Sequence, residues 1–135
     1  MKQFLAIYGS SLLTFLVVDL AWIKWVVGPM FERKLGSLML ETPRMAPALL
    51  FYCLFVLGNV IFVVYPGLDE SVFLFTGRAL LYGLICYATY ELTNYATLAD
   101  WPLSLVVLDL AWGAGISTLV AWTGIFVGSK GLMLG

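Results

Sequence analysis

The chain has 135 residues, of which 62% are hydrophobic and 11% are charged, and its formal net charge is −1. Soluble domains are about half apolar and about a quarter charged, so this composition is typical of an integral membrane protein. The balanced charge excludes a basic surface for nucleic acid, and the absence of histidine excludes imidazole-ligated haem, histidine zinc sites and Ser-His triads.

Four apolar runs follow one another along the chain, and each is long enough to cross a hydrocarbon core with roughly 20 helical residues. The first run ends at Gly28-Pro29 and the second at Pro66. The sequence therefore predicts an all-α polytopic membrane protein, with a single four-helix transmembrane domain over residues 1–135 folded as an antiparallel bundle. The predicted spans are residues 4–27, 48–65, 72–95 and 103–127.

Lysine and arginine residues in the short loops indicate the orientation, because they favour the cytoplasmic side of a membrane. The loop between the first two spans, here called the first loop, holds Arg33, Lys34 and Arg44. The opposite side holds Lys2 and Lys130. Three residues against two favour a cytoplasmic first loop, with both termini together on the outside.

Three carboxylic acids lie inside the predicted spans: Asp19 in the first, Glu91 in the third and Asp109 in the fourth. Each charged group at the centre of a helix costs roughly 2.5–3.5 kcal/mol on insertion scales, so three in one small protein require an explanation. At a rise of 1.5 Å per residue, Asp19 and Asp109 lie roughly 5 and 8 Å from the bilayer centre, both towards the first loop. Glu91 lies in the same half, so we expect the three acids to meet there.

Helical phase places an aromatic residue about one turn from each acid. Such a pattern indicates an interior polar cavity with aromatic walls. In the structural alternative, the acids hydrogen-bond to indole or hydroxyl groups and only fix the helix packing. The stripes are Asp19 with Trp22 in the first span, Tyr87 with Glu91 and Asn94 in the third, and Asp109 with Trp112 in the fourth.

Arg78 lies in the third span but in the opposite half from the acids. It is separated from Glu91 by roughly 20 Å along the helix axis, so the two are not expected to pair. We expect Arg78 to reach the second loop instead, and to meet Asn59, Asp69 or Glu70.

Small side chains and cysteines indicate how the spans pack. Gly113 and Ser117 have the four-residue spacing that lets membrane helices approach closely. Cys53 and Cys86 each lie in the middle of an apolar run, where we expect buried, inert packing residues.

Several short motifs are spread over nearly the whole chain. They are Asp19 with Trp22, Leu35-Gly36, Phe51-Tyr52, Tyr87-Ala88-Thr89-Tyr90-Glu91-Leu92-Thr93-Asn94 followed by Ala96-Thr97, Trp101, and Asp109 with Trp112-Gly113. Together they resemble a bacterial family of predicted inner-membrane proteins that is catalogued as a domain of unknown function (the twenty-one-seventy-seven family). The family pattern has Asp more often than the Glu91 of this chain. The resemblance implies four spans in the bacterial inner membrane but no particular activity, and the pattern positions are Asp19, Tyr90, Glu91, Asn94, Asp109 and Trp112.

Three hypotheses of function stay open. The favoured one is a small protein that binds or transports a cation, a proton or a small polar molecule in the cavity. Because four helices are few for alternating access, transport calls for a homodimer. The second is a structural or accessory subunit of a larger membrane complex, and the third is a membrane enzyme or accessory factor of lipid metabolism. The candidate ligand- or proton-binding residues are Asp19, Trp22, Tyr87, Tyr90, Glu91, Asn94, Asp109 and Trp112.

No pattern in the sequence indicates a catalytic group, a metal site or a cofactor. The sequence therefore weighs against an enzyme without excluding one. The expected partners are membrane lipid and either a second copy of the chain or other subunits of a membrane complex, and nucleic acid is not among them.

Overall fold

The computed structural model describes the backbone of residues 1–134 and the side chains of residues 1–129. Within this part of the chain there are four long helices and no strand, and each helix is long and apolar enough to cross a membrane. The predicted all-α architecture with four spans is therefore confirmed. The helices are α1 (Lys2–Leu38), α2 (Met45–Gly67), α3 (Val72–Thr97) and α4 (Leu103–Leu134).

The first helix is longer than the first apolar run, because it continues past Gly28-Pro29 to Leu38. A π-helical segment, Ile23–Val27, precedes this point, and the α-helix resumes at Gly28. Pro29 lies in the first turn of the resumed helix, where a residue without an N–H group is tolerated. A Cβ atom on Gly28 would lie 2.3 Å from the carbonyl oxygen of Ile23, so glycine is required beside the widened turn.

Glycines bring α3 and α4 into backbone contact. A Cβ atom on Gly83 would lie 2.0 Å from the carbonyl oxygen of Gly113 and 2.5 Å from Cβ of Ser117. A Cβ atom on Gly113 would lie 2.4 Å from Cγ of Tyr87. The close packing predicted from Gly113 and Ser117 is therefore confirmed.

The half of the bundle away from the first loop is a packed apolar core, built from the first half of α1, the second half of α2, α3 near its start and the middle of α4. A buried amide fastens this half, since Nδ2 of Asn59 donates to the carbonyl oxygen of Ser117 at 3.2 Å and to its Oγ at 3.0 Å. The fully or nearly fully buried apolar members are Ile7, Phe15, Val56, Val60, Val63, Val64, Ala79, Ile116, Val120 and Ala121.

Arg78 pairs with Glu70 at the second loop. Its two terminal nitrogens donate to the two carboxylate oxygens, and the Nη2–Oε2 distance is 2.6 Å. These hydrogen bonds hold the pKa of the Glu70 carboxyl group below its usual range. The expectation that Arg78 meets a second-loop acid rather than Glu91 is confirmed.

The two cysteines lie in different environments. Cys86 is half-buried, whereas Cys53 is exposed on the outer surface of α2. The expectation of two buried thiols is therefore wrong for Cys53, which stays exposed although Tyr8 of α1 lies beside it.

Replacing Gly83 with Ala is expected to destabilise the protein, because the added methyl group overlaps the backbone of α4. Overpacking of this kind typically costs about 1–3 kcal/mol. The matched control is Gly77→Ala, also in α3, where nothing lies within 4 Å of the added atom. Unfolding in detergent by increasing dodecyl sulfate measures both variants, and equal stability of the two would contradict this helix contact.

Candidate functional site

A cavity of about 700 Å³ lies in the first-loop half of the bundle, opposite the packed core. All four helices contribute to its wall near the ends that face the first loop. Asp19 and Asp109 line the cavity and Glu91 lies beside Asp109, so the three acids share the depth that was predicted for them. The lining residues are Asp19, Trp22, Ile23, Val27 and Phe31 from α1, Ala48, Phe51 and Tyr52 from α2, Cys86, Tyr87, Thr89 and Tyr90 from α3, and Asp109 from α4.

Asp19 is held in the wall by a hydrogen bond from α4. Its side chain is 5% exposed, and Nε1 of Trp112 donates to its Oδ1 atom at 3.0 Å. The hydroxyl group of Tyr52 lies beside the same carboxyl group. The acid of α1 is thus oriented by α4 and α2, and the expectation that it faces the interior is confirmed.

Trp22 and Trp112 form a stacked pair between α1 and α4. Their ring centroids are 4.2 Å apart and their planes differ by 3°. Trp22 lines the cavity, whereas Trp112 lies behind it and does not. The Nε1 atom of Trp22 is buried and has no hydrogen-bond partner among the described residues. Trp112 therefore supports the wall twice, through the ring of Trp22 and through the carboxylate of Asp19.

Asp109 and Glu91 place two carboxyl groups within hydrogen-bonding contact of each other between α4 and α3. Asp109 is 9% exposed and lines the cavity, but no tryptophan, tyrosine or backbone group of the described residues donates to it. Glu91 is fully buried behind the wall, where Nε1 of Trp101 donates to its Oε1 atom at 2.9 Å. Its Oε2 atom is buried without a hydrogen-bond partner.

Trp101 covers the first-loop end of this acid pair. Its ring contacts Tyr90 edge-on, with centroids 5.8 Å apart, and Phe31 at 6.0 Å. Both of those residues line the cavity. The loop before α4 thus joins the buried Glu91 to the cavity wall.

The acids have no cationic partner in the part of the chain whose side chains are described. No lysine or arginine lines the cavity, and the salt bridge in residues 1–129 joins Arg78 to Glu70 at the other end of the bundle. Nor does that part of the chain bring three His, Cys, Asp or Glu side chains close enough to hold a metal ion.

The structure brings most of the predicted site residues together, although their role in binding stays a prediction. Five of the eight candidates line the cavity, namely Asp19, Trp22, Tyr87, Tyr90 and Asp109. Glu91 and Trp112 lie behind it, in contact with Asp109 and Trp22 respectively. Asn94 does not line the cavity; it is half-buried beside the hydroxyl group of Tyr90, one turn earlier in α3.

The sequence analysis did not identify Tyr52 and Trp101 as site residues. Tyr52 lies beside Asp19, and Trp101 donates to Glu91. Both belong to the motifs that carry the family resemblance, so the pattern did contain a signal for them. Their partners could not be deduced, because helical phase gives the face of a helix but not the neighbour that the face meets.

The chemistry available here is the compensation of negative charge. Two neighbouring carboxyl groups repel each other when both are ionised, and a proton or a bound cation removes that repulsion. Indole N–H groups donate to Asp19 and Glu91, whereas the hydrogen-bond partner of Asp109 is the acid Glu91. A cation in the cavity could reach both Asp19 and Asp109.

Replacing Trp112 with Phe keeps an aromatic ring against Trp22 but leaves Oδ1 of Asp19 without its donor. Loss of one partner of a buried hydrogen bond costs about 1–3 kcal/mol, and we expect a destabilisation of that size. The control is Trp122→Phe, also in α4, which removes an exposed indole hydrogen bond to Thr76 of α3. Unfolding in detergent measures both variants, and equal losses would show that the bond to Asp19 does not stabilise the bundle.

Comparisons with known proteins agree with this architecture. The model of the family described as "Predicted membrane protein (DUF2177)" matches residues 4–126. Searches of curated proteins and of solved structures gave no match. The matched segment contains all the cavity residues, and the chain belongs to this family of predicted membrane proteins.

Proposed function

We propose that this membrane protein binds a positively charged ligand in the cavity, with Asp19 and Asp109 as the groups that recognise the charge. One observation carries the proposal: two acids from different helices line one cavity, and no cationic side chain of the described residues compensates them. Because an ionised acid at membrane depth is costly, a bound cation would stabilise acids that have no cationic partner among the described residues.

The contact between the carboxyl groups of Asp109 and Glu91 favours this function over a purely structural role. Asp19 and Glu91 each accept one indole N–H bond, which is what acids that only fix helix packing require. The partner of Asp109 is instead the carboxyl group of Glu91, with which it forms a hydrogen bond when one of the two acids carries a proton. The pair loses this hydrogen bond and gains repulsion when both acids are ionised, so it responds to a proton or a cation in a way that an acid held by an indole N–H group does not.

The packed core supports binding from one side of the membrane. The cavity is confined to the first-loop half, and Phe15 and Phe55 are buried in the core beyond it. Passage across the whole membrane therefore requires the helices to move. The π-helical segment Ile23–Val27 contributes two residues to the cavity wall, and π-bulges are frequent at functional sites. Transport, if it accompanies binding, calls for a homodimer in which two such bundles move against each other.

We also propose that the protein lies in the bacterial inner membrane with the first loop in the cytoplasm. The support is the excess of lysine and arginine on that side, to which the exposed Lys24 near the cavity end of α1 adds. Fusions of alkaline phosphatase to the C-terminus and to the first loop test this orientation. Activity of the C-terminal fusion is expected, and activity of the first-loop fusion instead would reverse the assignment.

The binding function predicts that a cation protects both acids from dicyclohexylcarbodiimide, a reagent that modifies carboxyl groups in apolar surroundings. The probes are sodium, potassium, magnesium and benzyltrimethylammonium chlorides added to the purified protein. At least one of them is expected to slow modification of Asp19 and Asp109 several-fold, as measured by mass spectrometry. Asp69, which is exposed at the second loop, is labelled in a parallel reaction with a water-soluble carbodiimide and serves as the control for a general salt effect.

Variants separate direct recognition from a general salt effect. Asp109→Asn is expected to fold, because a neutral amide is cheaper to bury than a charge, and to weaken protection of Asp19 by about tenfold. Asp69→Asn should leave that protection unchanged. Failure of every probe to protect, or equal slowing at Asp69, would contradict a cation-binding cavity.

A further inference from the structure

We propose that the ligand is a substituted ammonium ion that carries apolar or aromatic groups, an inference that rests on the proposed function. The same chemistry belongs to a free organic amine and to the headgroup of an aminophospholipid. The aromatic composition of the cavity wall, and not the charge of the cavity alone, favours this class of ligand over an inorganic cation.

Six aromatic residues form much of the wall around the two acids. A cation over an aromatic face is attracted by the ring quadrupole, and the attraction is largest where water is excluded. Quaternary ammonium ions are recognised in this way by aromatic cages. The aromatic lining residues are Trp22, Phe31, Phe51, Tyr52, Tyr87 and Tyr90.

A small inorganic cation fits the same wall poorly. Hard cations replace their water with several oxygen ligands, six to eight for calcium. The described residues bring no group of three acidic, histidine or cysteine side chains together for such an ion. The volume of about 700 Å³ instead falls within the range of about 300–1,000 Å³ that is usual for small-molecule pockets.

One side chain positions both elements of recognition. Trp112 donates to Oδ1 of Asp19 and stacks on Trp22, so the carboxylate and the ring that line the cavity are fixed relative to each other. Asp109 faces the cavity from α4 beside the carboxyl group of Glu91, and no indole N–H group of the described residues donates to it. An ammonium group between Asp19 and Asp109 could contact both acids while its apolar substituents lie against the aromatic rings.

The test is an affinity series on the full chain in nanodiscs of phosphatidylglycerol, read by tryptophan fluorescence. The probes are benzyltrimethylammonium, tetramethylammonium, sodium ion, and neopentylbenzene, which is the uncharged analogue of the first. Benzyltrimethylammonium is expected to bind about tenfold more tightly than tetramethylammonium and than neopentylbenzene, because both the charge and the aromatic group contribute. Sodium ion is expected to give no saturable change.

Two pairs of variants divide the affinity between charge and aromatic contact. Asp19→Asn should weaken benzyltrimethylammonium binding about tenfold but leave neopentylbenzene unchanged, and Asp69→Asn should affect neither. Phe51→Leu should reduce the preference for benzyltrimethylammonium over tetramethylammonium. Phe73→Leu is the control for it, because Phe73 is 87% exposed and lies at the other end of the bundle.

Nanodiscs that contain phosphatidylethanolamine identify the source of the ammonium group. A several-fold weaker apparent affinity for benzyltrimethylammonium would show that the headgroup occupies the site, and unchanged affinity would assign the site to a free amine. Both results support an ammonium ligand if the order of affinities holds.

Different results would overturn the ammonium proposal and the proposed function on which it rests. Protection of Asp19 and Asp109 by an inorganic cation, with no binding of benzyltrimethylammonium, would overturn the ammonium proposal and leave cation binding in place. Equal binding of neopentylbenzene and benzyltrimethylammonium, unchanged in Asp19→Asn, would overturn both, because the cavity would then recognise apolar bulk alone.

Discussion

A carboxyl group at membrane depth must be protonated, hydrogen-bonded, hydrated or neutralised, and the first-loop half of this bundle is arranged around that requirement. The bond from Trp112 to Asp19 satisfies it for α1 and at the same time ties α1 to α4. The bond from Trp101 to Glu91 satisfies it for α3 through the loop that precedes α4. Asp109 lines the cavity and has another acid, Glu91, as its hydrogen-bond partner, so this pair meets the requirement only while it holds a proton or a cation.

The two halves of the bundle differ in how tightly they are packed. In the half near the second loop, the Asn59–Ser117 contact and a dense apolar core hold the helices together. Gly83 then fixes α3 against α4 where the core meets the cavity. Beyond that contact the wall includes large aromatic side chains that enclose space instead of filling it. The open half can therefore accept a ligand while the closed half keeps the bundle folded.

Much of the fold could be predicted from the sequence, because length and hydropathy alone identify four membrane-spanning runs. The shared depth of Asp19 and Asp109 also followed, since a helix rises by a constant amount per residue. The continuation of α1 past Pro29 could not be predicted, because it depends on a π-helical turn at Ile23–Val27 that no residue pattern in the sequence indicates. The partners of Tyr52 and Trp101 were likewise inaccessible, because they depend on the rotation of each helix against its neighbours.

The native Cys86 allows the most direct test of a negative cavity, because it lines the wall. In a Cys53→Ala background, two methanethiosulfonate reagents are compared, one bearing trimethylammonium and one bearing sulfonate. The rate at which each reagent modifies Cys86 is divided by the rate at which the same reagent modifies free 2-mercaptoethanol. The ratio of these two normalised rates is independent of how much of Cys86 is ionised. The account predicts a preference for the cationic reagent of about tenfold or more, since charged clefts concentrate counter-ions, and its decline in Asp109→Asn. Equal normalised rates, or a preference that survives in both Asp109→Asn and Asp19→Asn, would contradict a cavity whose acids select positive charge.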